Sequence, residues 1–154
     1  MRDFNEADRS KKRDRIKITE NPAGLTAEEL RNLENTVRSS LKDGFMPCPL
    51  AWKIAKDAGV PRIAVGEITD RLGIRVTDCQ LGCFKVEKTP YDDSVPSEVN
   101  AAIDAGLDEL KANDKLTCAS AFDLARRVKT TPKAVADAMN RRSIKIRDCQ
   151  LGCF

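Results

Sequence analysis

The chain contains no histidine. That absence removes every Cys-His or Ser-His nucleophile pair and every histidine-ligated zinc site. It contains no Gly-x-Gly-x-x-Gly and no Gly-x-x-x-x-Gly-Lys, so no glycine-rich loop of known type is at hand to cradle a nucleotide. A hydrolase or nucleotide enzyme is therefore not expected, carboxylate chemistry is not excluded, and the expectation is a protein that is not an enzyme. Aromatic residues are scarce, at 5%, with one tryptophan and one tyrosine. No apolar run approaches the roughly 20 residues that cross a bilayer. Residues 1–19 are too charged for the apolar core of a secretory signal. The expectation is a cytoplasmic protein with no membrane partner, in a compartment where thiols stay reduced.

Against these absences stand six cysteines in 154 residues. They are not scattered. A shift of 70 positions lays Cys48 on Cys118, Cys79 on Cys149 and Cys83 on Cys153. Asp78-Cys79-Gln80-Leu81-Gly82-Cys83-Phe84 returns unchanged as the heptapeptide 148–154. Upstream the copies have diverged, but apolar types still match: Ala55 with Ala125, Val65 with Val135, Ile74 and Val76 with Ile144 and Ile146. The chain is therefore an internal duplication whose surfaces drifted while the cysteines and their turn were held. The expected division is a charged, disordered tail over 1–24, a first repeat over 25–89 and a second over 90–154.

Each repeat predicts three helices. Thr26-Ala27-Glu28-Glu29 has the form of a capping box, in which Thr and Glu satisfy each other's backbone donors. Leu30, Leu33, Val37 and Leu41 then recur at helical spacing, with Gly44 as the stop. Ser97-Glu98 opens the matching helix, with Ile103, Leu107 and Leu110 on its apolar face. A second helix is expected over 49–58 and 119–128. Turns at Gly59-Val60 and Lys129-Thr130-Thr131 lead to a third near 61–72 and 132–141, where Pro61 and Pro132 suit a first turn. The alternation Ile74-Arg75-Val76-Thr77 and Ile144-Lys145-Ile146-Arg147 predicts a strand, paired with the short extended piece before the second helix. Gln-Leu-Gly fits a hairpin loop with a left-handed glycine, and residues 84–87 could return as a further strand.

These residues resemble the helix-turn-helix family. The family pattern of a small residue, a turn glycine four residues on, and apolar residues six and nine further is met by Ala55, Gly59, Val65 and Ile68, and by Ala125, Val135 and Ala138 with lysine at 129 instead of glycine. The resemblance implies a mainly α fold with short β-hairpins: two tandem trihelical, winged helix-turn-helix units in pseudo-two-fold arrangement. It implies that the third helix enters the major groove. Its outward residues would be Arg62, Ile63, Gly66 and Glu67, then Thr131, Lys133, Ala136 and Asp137.

Charge is uneven along the chain. Residues 115–154 carry 9 basic and 3 acidic side chains, whereas 90–114 carry 1 and 7. A basic end behind an acidic first helix suits a DNA face turned away from its back. The expected DNA contacts are Arg62, Arg71, Arg126, Arg127, Thr131, Lys133, Arg141 and Arg142, with double-stranded DNA as partner. The cysteines Cys48, Cys79, Cys83, Cys118, Cys149 and Cys153 are expected to converge in threes, as ligands for zinc or an iron–sulfur cluster. Structural buried thiols and a disulfide switch are the competing readings. The expectation is a DNA-binding transcriptional regulator with cysteine-based metal or redox sensing. The alternatives are a cysteine-ligated accessory protein of a redox enzyme without DNA binding, or a protein–protein adaptor; association into a homo-oligomer stays open.

Overall fold

The computed structural model of the chain describes residues 5–84 and 94–154. It is mainly helical, with seven helices and one small parallel sheet among the described residues. Helix α1 spans Glu6–Arg13, α2 Ala27–Ser39, α3 Cys48–Asp57 and α4 Arg62–Arg71; α5 spans Ser97–Ala112, α6 Cys118–Arg127 and α7 Pro132–Arg141. Strand β1 is Met46–Pro47 and β2 is Val76–Thr77.

In the first repeat α2, α3 and α4 pack on one another. The Thr26 hydroxyl accepts from the Glu29 N–H at 3.2 Å while the Glu29 carboxylate accepts from the Thr26 N–H at 2.8 Å, as the capping box requires. Those bonds to the charged form lower the Glu29 pKa, the backbone bond contributing most. Leu33 and Val37 carry α2 into a core with Met46, Ala51, Ile54, Ala55, Val65 and Ile68. Helix α2 stops at Ser39, before Gly44. Asp43 and Gly44 are both left-handed, and Lys42 and Phe45 exchange hydrogen bonds across them. An Asp-Gly pair makes a tight hairpin turn, and it ends the helix early.

The second repeat packs α5, α6 and α7 in the same pairs, around Ile103, Leu107, Leu124, Ala125, Val135, Ala138 and Met139. Gly106 lets α6 close on α5: a methyl there would overlap the Leu124 side chain. Thr117 caps α6 through a reciprocal pair with Ser120.

The strand expected after the third helix pairs with the extended piece before the second, as the pattern predicts, and the pair is parallel. Strands β1 and β2 run parallel, in register Met46 with Val76 and Pro47 with Thr77, and the second repeat repeats this as a single parallel bridge between Thr117 and Arg147. The intervening helices α3–α4 and α6–α7 supply the crossover that a parallel pair needs. The 84–87 return lies, for all but Phe84, outside the described residues.

The turn between the paired helices keeps one backbone shape in both copies. Gly59 has φ 65° and Lys129 has φ 54°. Lysine pays a steric cost there that glycine does not. Lys129→Gly is expected to stabilise the protein by about 0.5–1 kcal/mol, read as a raised thermal midpoint; a lowered midpoint would mean that the lysine side chain contributes more than its backbone costs.

Two compact units result, and they do not follow the repeat boundary. Unit 1 comprises residues 1–79 together with 150–154; unit 2 comprises 80–149. Each set of helices is thus grouped with the other repeat's Gln-Leu-Gly-Cys-Phe segment. Part of the tail expected to be disordered forms α1, capped by Asn5 and Asp8 in a capping box. It is tied into unit 1 by Lys12 to Asp70 at 2.5 Å and by Arg75 to Asp8 at 3.0 Å.

Candidate functional site

The site is built on the face of α4 and on the C-terminal turn grouped with it. Gly66 sits in the middle of α4, where a glycine costs about 1 kcal/mol relative to alanine. The reason for it is contact. A Cβ on Gly66 would overlap the carbonyl oxygen of Leu151 and stand 3.0 Å from its Cα. The backbone of the turn therefore lies directly on the helix. Leu151 is 1% exposed. Gly152 follows with φ 66° and lies against Ile18 and Ile63. Arg62, in the first turn of α4, donates to the Gln150 side-chain oxygen. It also stacks on Trp52, its guanidinium carbon 3.4 Å from the ring centroid.

All four residues expected to face outward from α4 are therefore engaged inside unit 1. Arg62 holds Gln150, Ile63 touches Gly152, and Gly66 is covered by Leu151. Glu67 is 7% exposed and accepts from Arg71 at 3.2 Å. In α7 the matching face is partly covered: Ala136 is buried and the Asp137 side chain is 14% exposed. Lys133 remains exposed, paired with Asp137 at 2.7 Å. The burial of Gly66 has a legible signal, since an interior helix glycine asks for a packing reason; that of Ala136 has none.

The remaining expected DNA contacts are also accounted for. Arg71 is shared by Glu34, at 3.1 Å, and Glu67. Hydrogen bonds from Arg38 and then Arg71 hold the Glu34 carboxyl below its ordinary pKa. Arg126 pairs with Asp123, and Arg127 with Glu109 at 3.1 Å. Arg142 reaches Asp108 and Asp104, and the Asp108 bond raises its pKa. Thr131 caps α7, accepting from the Ala134 N–H at 3.1 Å. Arg141 is exposed in the last turn of α7.

The cysteines divide by unit. Cys48 and Cys118 are the first residues of α3 and α6 and are buried, as is Cys79. The Cys118 N–H donates to the Arg147 carbonyl at 3.0 Å, which brings the start of α6 to the strand that leads into Cys149. Cys83 is exposed, its Sγ donating to the Leu81 carbonyl at 3.9 Å. Cys149 and Cys153 are half-buried. Unit 1 contains Cys48, Cys79 and Cys153, and unit 2 contains Cys83, Cys118 and Cys149. Each repeat's two turn cysteines are thus assigned to different units, unlike the expected triads. Among the described residues no three cysteine, aspartate or glutamate side chains form a group able to hold a metal ion. No described helix is long and apolar enough to cross a membrane.

No protein-family model matches the chain, and neither a curated protein nor a solved structure shows significant similarity to it.

Proposed function

We propose that the chain is a DNA-binding regulator of the helix-turn-helix kind, in which unit 2 contacts the duplex and unit 1 is held covered by the C-terminal cysteine turn. The observation that carries the reading is the repeated helix pair. Ala55, Val65 and Ile68, and likewise Ala125, Val135 and Ala138, fill the pattern's core positions at 2% exposure or less, around turns of one left-handed shape. Unit 2 supports the contact role because Arg126, Arg127, Lys133 and Arg141 are exposed on α6 and α7. The carboxylates that pair Arg126, Arg127 and Lys133 do not preclude it. The exposed pairs of Arg126 with Asp123 and of Arg127 with Glu109 contribute about 0–1 kcal/mol each, little enough for phosphate to displace the carboxylates. Cys149 and Cys153 flank the covering turn, and in this reading the oxidation or ligation of their thiols alters its seating.

Binding to a labelled random-sequence duplex should weaken at least tenfold between about 50 and 200 mM salt, through counterion release. Lys133→Glu should weaken it further at each salt concentration. A folded protein that shows no binding at low salt, or salt-independent binding, would sink the proposal. An adaptor function is the second reading, favoured by the fit of a polypeptide backbone on Gly66. It would show as capture of a peptide carrying the Gln-Leu-Gly-Cys-Phe sequence without duplex affinity.

A further inference from the structure

The structure assigns, we propose, a phosphate-binding cleft to unit 1, taking a small phosphate monoester or diphosphate. The cleft lies where the end of α3 turns into α4, and its volume is about 660 Å³. Trp52, Lys53, Lys56, Arg62, Ile63 and Gln150 supply most of its wall, and no acidic side chain lines it among the described residues. Three cations thus share one concavity. Lys53 is partly compensated by Asp57, one turn on in the same helix. Lys56 is exposed in the last turn of α3.

Arg62 is the anchor. Its guanidinium carbon lies 3.4 Å over the centre of the Trp52 ring, so the group is held in place before any ligand arrives, which lowers the ordering cost of a bidentate bond. It also starts α4, whose N-terminus has no side-chain cap and whose helix dipole favours negative charge there. A phosphate matches this set better than a single carboxylate. It presents two or more anionic oxygens, one edge for the arginine fork and another for the lysine point charges.

Arg62 at present donates to the neutral amide oxygen of Gln150. A bond from the same guanidinium to a phosphate oxygen is charge-assisted and roughly twice as strong. Occupancy therefore trades Gln150 away from Arg62, one residue before the Leu151 carbonyl that rests on Gly66. The ligand loosens the turn from α4. The uncovering of a DNA-reading helix by this route rests on the function proposed above; the phosphate site does not.

Trp52 is the single tryptophan of the chain, so its fluorescence reports the cleft directly. Titration of the full chain with inorganic pyrophosphate, at ionic strength held constant with sodium chloride, should give a saturable change. The apparent Kd should rise at least tenfold in Arg62→Gln and in Lys56→Glu; the latter alters an exposed residue and tests the site without disturbing the Trp52 stack. Hydrogen exchange at residues 150–152 should quicken at saturation. The absence of a saturable change, or an unchanged Kd in Lys56→Glu, overturns the site. Unchanged exchange at 150–152 overturns the trade with Gln150. A duplex oligonucleotide that gives the same fluorescence change at a lower phosphate concentration than pyrophosphate would assign the cleft to a nucleic-acid backbone and overturn the small ligand. The pyrophosphate titration contains no DNA, so its outcome is separate from that of the duplex experiment.

Discussion

Leu151→Ala should destabilise unit 1 by about 2–5 kcal/mol, the usual cost of truncating a fully buried leucine. Leu151 is 1% exposed, and the chain that leads into its turn, 80–149, belongs to unit 2. The loss is therefore expected far away in sequence, at Trp52 on α3, whose fluorescence follows the unfolding of unit 1. Leu81→Ala removes the identical side chain from the identical heptapeptide. Leu81 is 2% exposed and belongs to unit 2, so its loss should appear first in the circular dichroism of the melting helices while the Trp52 transition moves less. Equal shifts of the Trp52 transition by the two variants, or a greater shift by Leu81→Ala, would contradict the crosswise grouping of the turns.

Gly66→Ala should destabilise unit 1 by about 1–3 kcal/mol, the range for forcing a group into a packed contact. In an open helix the same change stabilises by about 1 kcal/mol, because alanine is the better helix former. The sign therefore decides between a covered and an uncovered helix. A methyl at 66 meets a backbone carbonyl, which cannot swing aside as a side-chain tip can. Either the helix shifts or the turn leaves it. The second outcome is visible as faster hydrogen exchange at residues 150–152 and as loss of the Arg62 bond to Gln150. A thermal midpoint raised by Gly66→Ala would refute the seating of the turn on α4. Position 136, the counterpart in the second repeat, already carries a buried alanine, so Ala136→Gly should show only the ordinary helix cost of about 1 kcal/mol.

Much of the local structure was legible in the residues. Thr26 and Glu29 announce their helix, Gly82 and Gly152 take the left-handed conformation expected of the Gln-Leu-Gly turn, and the strand before each middle helix pairs with the strand after the third. Asn5 and Asp8 spell a cap equally well, but the charge of the segment around them drew the expectation of disorder. Asp43 beside Gly44 is a turn signal in its own right, beyond the helix stop expected of Gly44. What local pattern does not encode is partnership. Leu81 and Leu151 sit in the same seven residues, and nothing in those seven says which set of helices each one joins. The duplication made the turns look like wings of their own repeats, and the expected triads of thiols followed from that assumption. The outward face of α4 differs from expectation for the same reason: helical periodicity separates one face from another but does not say what covers the second. Gly66 was the clue, as a residue that only close approach justifies in a helix interior.

The exchange of turns bears on what a single repeat could have been on its own. In this chain the leucine of each turn is buried with the other repeat's helices, Leu151 in unit 1 and Leu81 in unit 2. A single repeat that kept this grouping would have to trade ends with a twin, and its folding would then depend on how often twins meet. Joining the two in one polypeptide makes the encounter intramolecular, at an effective concentration set by the connecting segment and not by the cell. The duplicated gene product is in that sense a dimer that cannot dilute.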